Sequence, residues 1–315
     1  MITERAMLAA VHISVWTAVK HDRKVSRKVA DEHGAPETAG RYNKKLLSGA
    51  ARLDDLRSVA AQIRQSFYKI TLPWSDEGYR LLPAHFYFDW TQQMREFETI
   101  FERKVEDFLA LYPSYIEQVR PELNGLFREE DYPSAEKLRT KFGVKLEVLP
   151  IPSGEDFRVT MSAEEQARVA KEIDTNVRQS LARGTTDLWK RLQDVVSHMV
   201  DRLNEPESRF HSSLVTNVLD LVTLLPQLNV GEDRELNRFV EEIRNRLCGF
   251  TARDLKTNEA LRVATAHDAT ALLYEMDAVL REREEKKETT QEMGSASSAD
   301  HIFSHMSAYM EAATQ

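Results

Sequence analysis

One cysteine, Cys248, stands in the 315 residues. A single thiol cannot close an internal disulfide or supply a cysteine-based zinc site, and such scarcity suits a reducing compartment, so a cytoplasmic protein is expected. Glycine and proline are scarce too, at 11 and 10 residues. A β-sandwich needs frequent turn residues, so a mainly helical chain is predicted instead. No run of about eighteen apolar residues occurs, and residues 1–18 carry Glu4 and His12 where a signal peptide has a basic start and a cleavage site. Neither a membrane span nor secretion is expected. Phosphate loops, dinucleotide-binding glycines, His-Glu-x-x-His and paired cysteines are all missing. No catalytic residue, cofactor site or metal site is therefore assigned.

What is present is helical periodicity. Over residues 161–204, Val169, Ile173, Val177, Leu181, Leu188, Leu192, Val196, Met199 and Leu203 recur at steps of three, four or seven, which lines one side of a helix. Ser162 with Glu165 marks its start as a capping box, and Pro206 marks its end. Gly184 is its weak point, but the apolar face resumes in phase after it, which predicts a continuous helix of roughly 60 Å at 1.5 Å per residue. Further helices are predicted over 22–33, 42–70, 86–111, 233–247 and 257–280, and over a segment after Pro206 that carries Phe210 and ends at Pro226. Pro113 and Pro121 are expected to divide the chain after residue 111 into shorter helices.

Period two appears twice around Pro150-Ile151-Pro152-Ser153-Gly154. Residues 144–149 and 156–161 read as a hairpin, and 11–19, with Val11, Ile13 and Val15 alternating against His12 and Ser14, reads as a third strand. The fold class expected is mainly α (α+β): an elongated bundle of long amphipathic helices with a small three-stranded antiparallel sheet. The body spans 1–283. A charged and then Gly/Ser/Ala-rich stretch, 284–300, reads as a flexible linker, and 301–315 reads as a short tail helix. On that tail Ile302, Phe303, Met306, Tyr309 and Met310 share a face that suits docking on a protein partner or on the chain itself.

Charge is unevenly spread beneath the net −8. Residues 1–70 hold thirteen Lys/Arg against seven Asp/Glu, net +6, which leaves −14 for the remainder. Lys20, Arg23, Lys24, Arg27 and Lys28 are predicted on one stripe, either a solvated helix face or a nucleic-acid contact. Trp74 and Arg80 lie in a turn region where an aromatic ring and a guanidinium could grip a ligand, or where Trp74 could anchor a helix corner. His301 and His305 have ligand spacing but no identifiable third ligand. His267-Asp268, Asp174, Asp187, Asp194 and Cys248 read as surface or packing residues rather than as catalytic groups.

A set of landmarks gives the chain a family resemblance. Leu72-Pro73-Trp74, Gly78-Tyr79-Arg80-Leu81-Leu82-Pro83, Phe142, Pro150-Ile151-Pro152, Asp156-Phe157-Arg158, Leu225-Pro226 and Leu228-Asn229 together resemble a family of uncharacterised proteins of phages and bacterial mobile elements. The resemblance covers much of residues 72–229. It implies a helical protein encoded near MoxR-like AAA+ ATPases and von Willebrand A-type proteins, and it transfers no catalytic residue. The expected function is a non-catalytic interaction or structural protein, with a protein partner such as a MoxR-like ATPase or self-association. The alternative is nucleic-acid association through the basic stripe.

Overall fold

A computed structural model describes residues 2–75, 78–156, 159–205 and 213–312, with side chains described up to residue 286 apart from that of residue 156. It is mostly helical with small antiparallel sheets. The chain divides into two compact units, 1–184 and 185–315.

In the first unit a short helix, α1 (Ile2–Arg5), leads into β1 (Ala6–Ser14), the strand about which the sheet is built. Period two governs it: Met7, Ala9, Val11 and Ile13 join the helical core, Ala6, Leu8 and Ala10 are buried on the opposite face, and His12 and Ser14 are exposed. The chain then forms β2 (Val19–His21), α2 (Arg23–Glu32) and β3 (Asn43–Lys45). Strands β2 and β3 make a separate two-stranded ribbon. Helix α3 (Ala51–Lys69) follows, then a hairpin of β4 (Leu72–Pro73) and β5 (Arg80–Pro83) with Gly78 at φ +95° between the strands. That conformation is open to glycine at little cost. Helix α4 (Tyr87–Leu123), α5 (Ala135–Arg139) and β6 (Gly143–Leu149) complete the framework. The main sheet runs β4-β5-β1-β6. Leu56, Ile63 and Phe67 of α3 and Trp90, Met94, Phe101 and Phe108 of α4 fill the core against it, with Phe67 stacked on Trp90 at 5.6 Å.

The expected three-stranded sheet is therefore corrected to four strands plus a ribbon. Strand β1 starts five residues earlier than predicted because alanines at 6, 9 and 10, poor strand formers, are accepted where both sheet faces are buried. Val19 belongs to the ribbon, opposite Lys45. Residues 159–161 are not strand, and 157 and 158 lie outside the described residues. Gly154 instead backs onto the next helix: a Cβ there would come 2.7 Å from Ala170 O, and its N–H donates to Asp174 Oδ1 at 3.3 Å. The helix predicted over 42–70 begins only at Ala51, because 43–45 pair with β2 and Gly49, at φ +65°, turns the chain.

Pro113 and Pro121 do not break their helix, since α4 carries both. Each removes a backbone donor and crowds the preceding turn, a cost of about 3 kcal/mol in a helix interior. Burial of Phe108, Tyr112 and Val119 on the same helix offsets it, and Tyr112 Oη donates to Pro133 O at 3.1 Å. Helix α6 (Ala163–Asn204) runs unbroken through Gly184. Glycine is needed there for close approach: a Cβ would lie 3.3 Å from Leu72 Cδ1 of the hairpin.

The second unit contains the later part of α6, then α7 (Ser213–Leu228), α8 (Arg234–Leu247), α9 (Ala252–Thr257) and α10 (Glu259–Ala312). Phe210 lies outside the described residues. Pro226 sits within α7, which ends two residues later than its expected stop. Leu188, Leu192, Val196, Val222, Phe239, Ile243, Ala269 and Leu272 are fully buried. Asp233 caps α8, accepting from Glu235 N and Leu236 N; it also accepts from Trp189 Nε1 (2.9 Å) and from both Arg283 nitrogens (2.6 and 2.8 Å). Helix α10 is continuous over 284–300, where a linker is predicted. Its described side chains include a Lys286–Glu282 pair one turn apart, a local support for helix. The tail residues Ile302, Phe303, Met306, Tyr309 and Met310 are placed by backbone only, and 313–315 lie outside the described residues.

Candidate functional site

A dense polar network in the first unit surrounds Asp22. Its N–H bonds Tyr42 O (3.0 Å), fastening the ribbon, and its carboxylate caps α2 by accepting from Lys24 N (3.1 Å) and Val25 N (3.2 Å). Beneath it Lys44 is buried, with only 2% of its side chain exposed. Its ammonium donates to Leu126 O (2.6 Å) and Asp131 Oδ2 (2.5 Å) and stands 3.7 Å from Asp22 Oδ2. Lys20 Nζ reaches the other Asp131 oxygen at 2.6 Å from the rim. Two buried carboxylates are thus balanced by one buried and one half-exposed ammonium. Unbalanced, such charges would cost several kcal/mol each.

Burial pushes the Asp131 carboxyl up, but hydrogen bonds from Lys20 and Lys44, with their charges, outweigh that and hold it below the usual carboxylate range. The Val25 N–H lowers Asp22 against the effect of burial, helped by the charges of Arg128 and Lys44. Both carboxylates are therefore ionised at neutral pH. Ser26 Oγ donates to Asp22 O (2.8 Å) and accepts from Tyr42 N (2.9 Å), so His21 Nε2, 3.0 Å away, serves as a donor to the same oxygen.

This network sets where the surface cations stand. Lys20 lies on β2 rather than on the helix stripe predicted for it, because α2 begins at Arg23. Arg27 is paired with Glu37 (2.7 Å) and Lys28 with Glu32 (3.7 Å). Arg23 and Lys24 are exposed and have no ion-pair partner among the described residues. Two further arginines join them: exposed Arg41 before β3, and half-buried Arg128, tied in through the 126–131 segment that Lys44 holds. Two open cavities of about 530 Å³ each lie here and share His21 and Arg23 as a common wall; one is also lined by Arg27 and Arg41, the other by Lys24 and Arg128. Together their walls carry seven Lys/Arg against four Asp/Glu. Such a rim can take a phosphate group by paired guanidinium hydrogen bonds, with the neighbouring ammonium adding charge.

Sequence reasoning missed Arg41, Lys44 and Arg128. The basic run Arg41 to Lys45 carried a signal, whereas Arg128, 105 residues beyond Arg23, had none. The remaining sequence candidates sit elsewhere. Trp74 is buried, and Arg80 donates to Thr71 Oγ1 (2.7 Å) and Thr71 O (3.2 Å) while lying 4.6 Å over the Tyr68 ring, so both hold the β4–β5 hairpin. Cys248 ends α8 half-buried, and burial pushes its thiol up. Asp268 pairs with Arg246 and Asp187 with Arg191. Among the described residues, no three His, Cys, Asp or Glu side chains gather as a metal site. No protein-family model, curated protein or solved structure matches the chain.

Proposed function

We propose that this chain is a non-catalytic cytoplasmic binding protein that takes nucleic acid on the basic rim of α2, the β2–β3 ribbon and Arg128. One observation carries the reading. Arg23, Lys24 and Arg41, which have no ion-pair partner among the described residues, converge from separate segments with Arg128, whose charge also acts on Asp22, on a base fixed by the buried Lys44, Asp22 and Asp131. Such cations release counterions when they meet a phosphate chain, which supplies affinity without reading sequence. Three of the four are arginines, the side chain suited to bidentate phosphate contact. The acidic remainder of the chain opposes binding by repelling the polymer.

Fluorescence anisotropy with labelled single-stranded and duplex oligonucleotides tests it. The parent binds at low salt, and reversing Arg23, Lys24, Arg41 and Arg128 to Glu weakens binding at least tenfold with circular dichroism unchanged. Equal affinity of parent and variant contradicts the reading.

A protein-interaction role has its own support. Val263 and Tyr274 of α10 are 61% and 73% exposed, and they stand eleven residues apart, about three turns, so they share a face. The mobile-element setting and a MoxR-like ATPase as partner belong to this second reading and rest on the landmark residues of the resemblance. Affinity purification tests it: a partner lost on deleting 301–315 supports contact through the tail, and recovery of the protein alone argues against a partner.

A further inference from the structure

We infer that two copies of this chain pair through the free edge of β6, extending the four-stranded sheet across a twofold axis at Leu146. Strand β6 is hydrogen-bonded to β1 along its whole length, from Leu8 opposite Leu149 to Ser14 opposite Gly143. In the order β4-β5-β1-β6 it is terminal, and no strand among the described residues covers its other side. The opposite edge, β4, is two residues long and contains Pro73, which lacks a donor. Of the two edges of this sheet among the described residues, β6 thus offers the longer, a seven-residue row of backbone groups, to another strand.

The pattern on β6 says what fits there. Val144 and Leu146 face the helical core, and Val148, on the same face, is 36% exposed. Lys145 and Glu147 lie on the other face. Antiparallel pairing of β6 with itself about Leu146 sets Lys145 opposite Glu147 twice, Val144 opposite Val148 twice, and Leu146 opposite its own copy. A twofold axis at Lys145 would oppose two lysines, and one at Glu147 would oppose two glutamates. Register is therefore selected by charge, since opposite charges directly across a ladder stabilise it and like charges do the reverse. Glu147 is already steadied for such a role by His12 Nε2 at 3.1 Å and by the Tyr79 hydroxyl.

Apolar fit agrees with charge. A cavity of about 240 Å³ opens beside Val144; Phe101, Val105 and Phe142 form its apolar part, and Glu98, Glu102 and Arg139 line the rest. In the selected register Val148 of the second copy comes beside half-buried Val144 at the rim of this cavity, so the exposed Val148 is covered. The arrangement is an isologous interface, self-complementary and closed, so it stops at two copies.

Light scattering coupled to size exclusion, on the full chain over a range of concentrations, tests this. The parent shows a dimer mass that falls on dilution. Lys145→Glu opposes like charges twice and weakens dimerisation roughly tenfold or more. The double swap Lys145→Glu with Glu147→Lys restores it. Independently, Leu146→Cys in a Cys248→Ala background gives a disulfide-linked dimer on mild oxidation. A chain that stays monomeric at every concentration overturns the proposal. So does a dimer indifferent to Lys145→Glu, or a folded swap that fails to restore it. Nucleic-acid binding is read separately, so either result leaves the α2 rim to its own test.

Discussion

Lys44 shows how much can depend on one buried charge. Its ammonium is the shared partner of Asp131 and Asp22, so replacing it by methionine keeps volume but leaves buried Asp131 with Lys20 alone and buried Asp22 with the Arg128 charge. Removing one partner of a buried pair costs about 3–5 kcal/mol, and Lys44→Met is expected to lower stability to urea by that order. Asp233 makes the matching case in the second unit. Burial opposes its ionisation, yet hydrogen bonds from Arg283, Trp189 and Leu236, with the Arg283 charge, take its carboxyl down to about 2. The folded value is below the unfolded one, near 4, so its stabilisation is complete above pH ~4 and is lost as pH falls toward ~2. That is worth about 2 kcal/mol. Asp233→Asn should destabilise the protein at pH 7 and flatten its stability between pH 4 and 2, as seen in urea melts across that range. The helix that starts beside Asp233 was legible from its apolar period of 3.6. The Asp233 bond to Arg283, 50 residues on, was not, because nothing local in a sequence records a partner that only folding brings near.

At the scale of elements, long periodic segments were legible and short ones were not. The helices over 163–204 and 234–247 follow apolar spacing sustained over many turns, which tertiary contacts have no reason to overrule. The β4–β5 hairpin has strands of two and four residues with prolines at 73 and 83, a composition that argues against strand until β1 is there to pair with it. Pro113 erred the other way: a local penalty was read as decisive although the buried face continued past it. Pro113→Ala is therefore expected to raise the stability of the first unit by about 1–2 kcal/mol, restoring a backbone donor in α4, as read by chemical denaturation. Gly184→Leu should do the opposite. A leucine gains helix propensity, but its Cβ would already stand 3.3 Å from Leu72 Cδ1, so a loss of about 1–3 kcal/mol is predicted.

For the molecule as a whole, charge distribution gives the broadest lead to function. A chain of net −8 whose first 70 residues carry +6 separates its signs along the sequence, and folding sharpens this by adding Arg128 to the rim around α2. The basic stripe was legible as composition. Its composition as a site was not: Lys20, Arg27 and Lys28 turned out to be paired, while Arg41 and Arg128 entered from segments the stripe did not include. The salt dependence of oligonucleotide binding tests the nucleic-acid reading most directly. Four phosphate contacts to a duplex predict a slope of log affinity against log salt of roughly −3.5, and Arg41→Gln with Arg128→Gln should reduce it by about 2 while leaving the fold intact. An unchanged slope in that variant, or no binding by the parent at low salt, would contradict it.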